Sequence, residues 1–196
     1  MVAVVKYNAG NVHSVLSALS RIGADAVLTD DPDEIRNADK VIFPGVGEAS
    51  SAMAYLKQKG LDSVLMSLKQ PFLGICLGMQ LMCSRSEEGS SECLGLFPDD
   101  VVRFPEDRGY KIPHVGWNTI SPMDDRLFHN VPKDSYVYFV HSYYVPVSAC
   151  SAALTEYDGI SFSSAMHSGN FYGVQFHPEK SGRIGEQILR NFMEVV

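Results

Sequence analysis

The chain has 196 residues and a formal net charge of −7, from 16 Lys plus Arg against 23 Asp plus Glu. That length predicts one domain, residues 1–196, with a core large enough to need no disulfide or metal staple. An acidic chain without a Lys/Arg cluster makes nucleic acid an unexpected partner. No apolar run approaches the roughly 20 residues that span a bilayer, so no membrane role is expected. The N-terminal residues lack the basic, apolar and small-residue regions of a signal peptide. Cys76, Cys83, Cys93 and Cys150 show no zinc-type pairing and read as reduced thiols, as expected in the cytoplasm.

Val2 to Val5 is an apolar, β-branched run, followed by Asn8-Ala9-Gly10-Asn11 and then Val15, Leu16, Leu19 and Ile22 at helical spacing. This predicts strand, turn and amphipathic helix. Ala26 to Leu28 reads as a second strand, Pro32 to Asn37 as a short helix with proline in its first turn, and Lys40 to Phe43 as a third strand. After Pro44-Gly45-Val46-Gly47 a helix runs to Lys59, closed by Gly60, and another is predicted over Asp62 to Lys69. Phe72 to Ile75 is the next strand, and it leads directly into Cys76 and a helix through Leu81. The alternation predicts an α/β fold with a mostly parallel central sheet and flanking helices. From Leu96 to Phe176 the segments turn β-leaning: Val101 to Phe104, Tyr136 to Val140, Ala152 to Thr155 and Phe171 to Gln175, separated by turn residues. They predict antiparallel strands added to the parallel sheet. A last helix places Ile184, Ile188, Leu189 and Phe192 on one face.

Gly74-Ile75-Cys76-Leu77-Gly78 has the form of a nucleophile elbow and lies between a predicted strand and a predicted helix. Glycines two residues either side of the nucleophile let neighbouring backbone approach a tight turn. The helix start favours a thiolate on Cys76, and the Leu77 N–H is placed to donate to an oxyanion. Of the six histidines, His177 is best placed as the base, since it ends an apolar strand and is followed by Pro178 and Glu179. Proline biases His177 toward an extended conformation, in which Glu179 falls on the same face and can fix the imidazole tautomer. The Gly45-Val46 backbone follows a parallel strand at the same sheet edge and could supply a second oxyanion donor. Neither G-x-G-x-x-G nor G-x-x-x-x-G-K-[ST] occurs, so no nucleotide cofactor is expected, and no metal site is predicted.

GICLGMQ at 74–80 with HPE at 177–179 resembles the class I, or triad-type, glutamine amidotransferases. YNAGN, PGVG, GICLGMQLM, KIPHVGWN, FVHSYY and GVQFHPEKSG occur in order from residue 7 to residue 182. They are similar, more narrowly, to the branch of that family working in histidine biosynthesis. The resemblance implies an α/β fold with a Cys76-His177-Glu179 triad that converts L-glutamine to glutamate and ammonia through a thioester. It implies an oxyanion hole from Gly45, Val46 and Leu77, and a glutamine pocket lined by Gln80, His141, Ser142 and Tyr143. It further implies a heterodimer with a (β/α)₈ cyclase subunit that uses the ammonia to make imidazole glycerol phosphate and an aminoimidazole carboxamide ribotide. Pro113, His114, Trp117, Asn118 and Lys180 match stretches facing that partner. A glutaminase for another acceptor pathway (pyridoxal phosphate, anthranilate or purine) and a non-catalytic partner-binding subunit are the competing readings. Cys83, Cys93, Cys150, His13, His129 and His167 are expected to be structural.

Overall fold

A computed structural model describes residues 1–7, 12–106, 109 and 111–196. In its first half, β1 (Val2–Val5), β2 (Ala26–Thr29), β3 (Lys40–Phe43) and β4 (Phe72–Ile75) pair in parallel in the order β2-β1-β3-β4. Every residue of β1 is buried, and alternate side chains feed opposite faces: Val2 and Val4 join one core cluster, Ala3 and Val5 the other. A sheet covered on both sides requires that continuous apolar run.

Helix α1 (Val12–Arg21) buries Val12, Val15, Ala18 and Leu19, a stripe of helical period. Helix α2 (Pro32–Asn37) starts at Asp31, whose carboxylate accepts from the Asp33 and Glu34 amides. Helix α3 (Ala49–Lys59) is capped the same way by Glu48 and ends at Gly60. The helix predicted over 62–69 is shorter: α4 covers Leu61–Met66, and the Ser67 hydroxyl donates to the Val64 carbonyl at its end. Helix α5 (Leu77–Met82) is buried throughout.

The second half adds the short strands β5 (Arg85–Ser86), β6 (Ser91–Glu92) and β7 (Asp100–Arg103). It continues with β8 (His114–Pro122), β9 (Ser135–His141), β10 (Tyr143–Tyr144), β11 (Ser151–Tyr157), β12 (Ile160–Ser168) and β13 (Phe171–Val174). The large sheet runs β2-β1-β3-β4-β13-β12-β11-β8-β9, and a small one runs β10-β7-β5-β6. Strand β13 lies parallel to β4, with Val174 opposite Ile75, and the strands beyond it pair antiparallel. The chain therefore returns beside β4 after nearly a hundred residues, ending both strands at one sheet edge. Helix α6 (Gly182–Glu194) closes the fold, with Ile188, Leu189 and Phe192 buried. Lys40 Nζ donates to the carbonyls of Phe192 and Val196 at its C-terminal end.

Candidate active site

Cys76 follows β4 directly, and its amide donates to the Val174 carbonyl at 2.8 Å, which extends the β4–β13 pairing by one residue. The thiol-bearing residue holds φ 52°, ψ −111°, a strained turn between strand and helix. A Cβ on Gly78 would collide with the Phe43 carbonyl, and one on Gly74 would lie 2.7 Å from the Met79 nitrogen. Only glycine lets α5 pack this closely over β3 and β4.

His177 and Glu179 reach Cys76 from β13. His177 is extended, at φ −101°, ψ 95°, but Pro178–Lys180 forms a 3₁₀ turn, so the continuous extended segment expected from sequence is replaced by a tighter path. Glu179 is brought beneath the ring all the same: His177 Nδ1 donates to Glu179 Oε1 at 2.8 Å, with both side chains buried. Nε2 has no hydrogen-bond partner of good geometry among the described residues and sits within electrostatic reach of the Cys76 sulfur. Burial opposes charge on the ring, yet the Cys76 sulfur and the Glu179 carboxylate outweigh it and push His177 up to about 10. The turn is tied to β9: the His177 amide donates to the Tyr138 carbonyl, and the Ser181 hydroxyl donates to the His177 carbonyl and accepts from the Tyr138 amide.

A cleft of about 280 Å³ opens above the sulfur, lined by Val46, Gly47, Leu77, Gln80, Glu88, Pro113 and Val140 to Tyr143. The structure thus brings together Cys76, Leu77, Gln80, His141, Ser142 and Tyr143 around one cavity. The Leu77 amide donates to the Gly45 carbonyl at 3.3 Å, so the Gly45–Val46 peptide presents an acceptor, not a donor, toward the elbow. Tyr7 donates from its hydroxyl to the Pro44 carbonyl at 2.6 Å, fixing the loop's first carbonyl; the rest of the YNAGN stretch, Asn8 to Asn11, lies outside the described residues.

Two further residues, one lining the cleft and one behind the nucleophile, were not among the expected site residues. Glu88 is the one carboxylate lining the cleft among the described residues, and its Oε2 accepts from the Ala49 amide at 2.9 Å. Burial, with Glu48 nearby, raises its pKa despite that bond. Gln175 is fully buried, with its Nε2 3.7 Å from the Cys76 sulfur. Its signal in the sequence is position: two residues before His177 on an extended segment, it shares that side chain's face.

His141 donates from Nδ1 to the Tyr143 carbonyl at 2.7 Å, which leaves Nε2 as an acceptor for His114 Nδ1 at 3.0 Å. Burial drives both rings neutral, His114 down to about 4 and His141, also repelled by His114 and His177, to about 3. His114, expected on a partner-facing stretch, is therefore an interior residue, stacked on Phe139 and Tyr157 because β8 alternates and its even positions point inward. Trp117 is 55% exposed; Pro113 and Lys180 are exposed, and Lys180 Nζ lies 5.9 Å from the Tyr138 ring centre. Asn118 is half-buried and donates to the Glu156 carbonyl. Among the described residues no group of His, Cys, Asp or Glu is arranged to hold a metal ion.

The strand-to-helix cysteine, the buried His–Glu pair and the sheet order fit a class I amidotransferase fold. The family model for glutamine amidotransferase class-I matches residues 3–196, and the chain belongs to that family and is a glutamine amidotransferase. Within it, the full-length likeness is to proteins named imidazole glycerol phosphate synthase subunit HisH. The Bacteroides fragilis protein is 57% identical over 99% of both chains, and the Carboxydothermus hydrogenoformans protein 48% identical over the whole of both. Among solved structures, PurLQS from Thermotoga maritima superposes with a TM-score of 0.72 at 16% identity, covering 99% of this chain and 97% of that one. A crystal structure titled glutamine amidotransferase gives 0.76 at 15%, covering 100% and 98%.

Proposed function

We propose that the protein is the glutaminase subunit of an imidazole glycerol phosphate synthase, acting in histidine biosynthesis in the cytoplasm. The observation that carries the chemistry is the buried His177–Glu179 pair behind Cys76, whose residue lines a cleft sized for a small amino acid. The Cys76 thiolate adds to the side-chain amide carbon of glutamine. The proton on His177 Nε2 passes to the amide nitrogen, the C–N bond breaks and ammonia leaves a glutamyl thioester. Water then adds to the thioester, giving its proton to His177; the C–S bond breaks, the electron pair returns to sulfur, and glutamate departs. Glu179 holds the ring and offsets its charge. Glu88 supplies an anion suited to the α-ammonium of glutamine, and Gln80, His141, Ser142 and Tyr143 line the cleft wall beside it.

In the resting arrangement the Leu77 amide is engaged by the Gly45 carbonyl, so one oxyanion donor is occupied and the other turned away. Rotating the Gly45–Val46 peptide supplies both, and each donor is worth about 3–4 kcal/mol of transition-state stabilisation. A (β/α)₈ synthase partner, the acceptor of the ammonia, is the agent proposed to favour that rotation. Val115, Trp117, Tyr136 and Tyr138 lie on the outer face of β8 and β9, which leads to the cleft through Val140 and is rimmed by Lys180. Exposed aromatic surface of this kind suits a protein interface. The test is glutamate release from glutamine by the purified protein, alone and with the synthase subunit plus its ribonucleotide. Strong stimulation that vanishes in Cys76→Ala is expected; equal turnover with and without the partner would overturn the regulated-subunit reading.

A further inference from the structure

Gln175 has no role in the triad, yet its carboxamide lies against the nucleophile in an orientation its neighbours dictate. The chain of bonds begins at the Tyr143 carbonyl, which can only accept. It accepts from Gln80 Nε2 at 3.0 Å, so Gln80 must present its amino group there. The second hydrogen of that group goes to Gln175 at 2.9 Å, and Gln175 must therefore present Oε1 to it. The remaining end of Gln175, Nε2, then points at the Cys76 sulfur, 3.7 Å away. Reversing Gln80 would set its oxygen against the Tyr143 carbonyl, and reversing Gln175 would set two amino groups together. Burial removes water as an alternative partner, since Gln175 is 0% and Gln80 4% exposed.

The sulfur's other polar neighbours act differently: His177 gives up its proton during the reaction, whereas the Gln175 amide keeps its own. The Val140 carbonyl, 3.8 Å away, can accept from a thiol but repels a thiolate. We propose that Gln175 is a catalytic hydrogen-bond donor to the Cys76 thiolate, held in polarity by Gln80 and the Tyr143 carbonyl. It favours the ionised nucleophile before acylation and stabilises the thiolate that re-forms when the C–S bond of the thioester breaks and its electron pair returns to sulfur. Because Gln80 and Tyr143 also line the cleft, the donor is mechanically linked to the wall that glutamine would touch.

This inference rests on Cys76 being the nucleophile proposed above, and its test needs neither glutamine nor partner. Iodoacetamide alkylation of Cys76 is followed by peptide-resolved mass spectrometry in the full chain between pH 6 and 10. In Gln175→Met, which keeps the side chain's length, the rate at pH 6.5 is expected to fall about tenfold, as for loss of one hydrogen bond to a charged group, and to approach wild type at pH 10. Gln175→Glu keeps an acceptor for Gln80 while replacing the donor by an anion, so it is expected to fall further, and it serves should the methionine variant fail to fold. An alkylation profile identical to wild type in either folded variant would overturn the inference, even if glutaminase turnover dropped. Absence of glutamate release by the wild-type protein with its partner would instead count against the glutaminase reading.

Discussion

Cys76 holds a backbone conformation that costs an L-residue about 1–3 kcal/mol, and the surrounding packing must enforce it. Gly78 is where that enforcement is most exposed to mutation, because a methyl there meets the Phe43 carbonyl. Gly78→Ala is expected to displace α5 from β3, lowering Tm by several degrees and abolishing the reactivity of Cys76; thermal unfolding and alkylation measured together check it. Glu179 acts differently. Glu179→Gln keeps the shape but removes the anion beneath His177, and kcat for glutamate release is expected to fall about 100-fold or more with KM little changed. The placement of Cys76 and His177 was legible in the sequence because it travels with local signals, a glycine-flanked turn and a proline-flanked strand end. Gln175 and Glu88 were not, since a buried amide and a cleft carboxylate gain their meaning from neighbours distant in the chain, Gln80 and Ala49.

The turn that carries His177 shows how elements, more than residues, set the geometry. Ser181 is 2% exposed and joins β9 to that turn through two bonds, one from the Tyr138 amide and one to the His177 carbonyl. Ser181→Ala leaves the part-buried Tyr138 amide without its partner, at about 1 kcal/mol. Tm is expected to fall by several degrees, with a drop in kcat larger than any change in KM, read from unfolding curves and glutamate-release kinetics. The parallel strands β1 to β4 were visible as apolar runs, because a strand covered on both faces admits little else. Strands β8 and β12 were not. HVGWNTISP mixes glycine, asparagine and proline into an exposed-edge pattern, and in ISFSSAMHS the residues from Phe162 to Met166 are all buried, serines included. Ser163 satisfies its hydroxyl on the Pro146 carbonyl, a bond that no periodicity announces.

At the scale of the whole molecule, β8 and β9 present two unlike faces: an outer one bearing Trp117 and Tyr136, and an inner one bearing the neutral His114–His141 pair. Reading His114 with its exposed neighbours failed because strand alternation turns each successive side chain over. The inner pair makes stability depend on pH in a definite direction. Both histidines are held well below the ordinary value of 6.5, at about 4 and about 3. Below pH 6.5 the unfolded chain binds protons there that the folded chain refuses, so stability falls as pH drops from about 6.5 toward 4. His177 has the opposite sign: raised to about 10, it gives stability that is complete below its unfolded value and is lost as pH rises toward 10. Together they place the maximum of these contributions near pH 6.5. Chemical denaturation from pH 4 to 10 is expected to trace both limbs. In His114→Gln, whose amide can still donate to His141 Nε2 but cannot titrate, the acid limb should become shallower while the alkaline limb stays. An acid limb of unchanged slope in that variant would assign the acid sensitivity to the carboxylates instead.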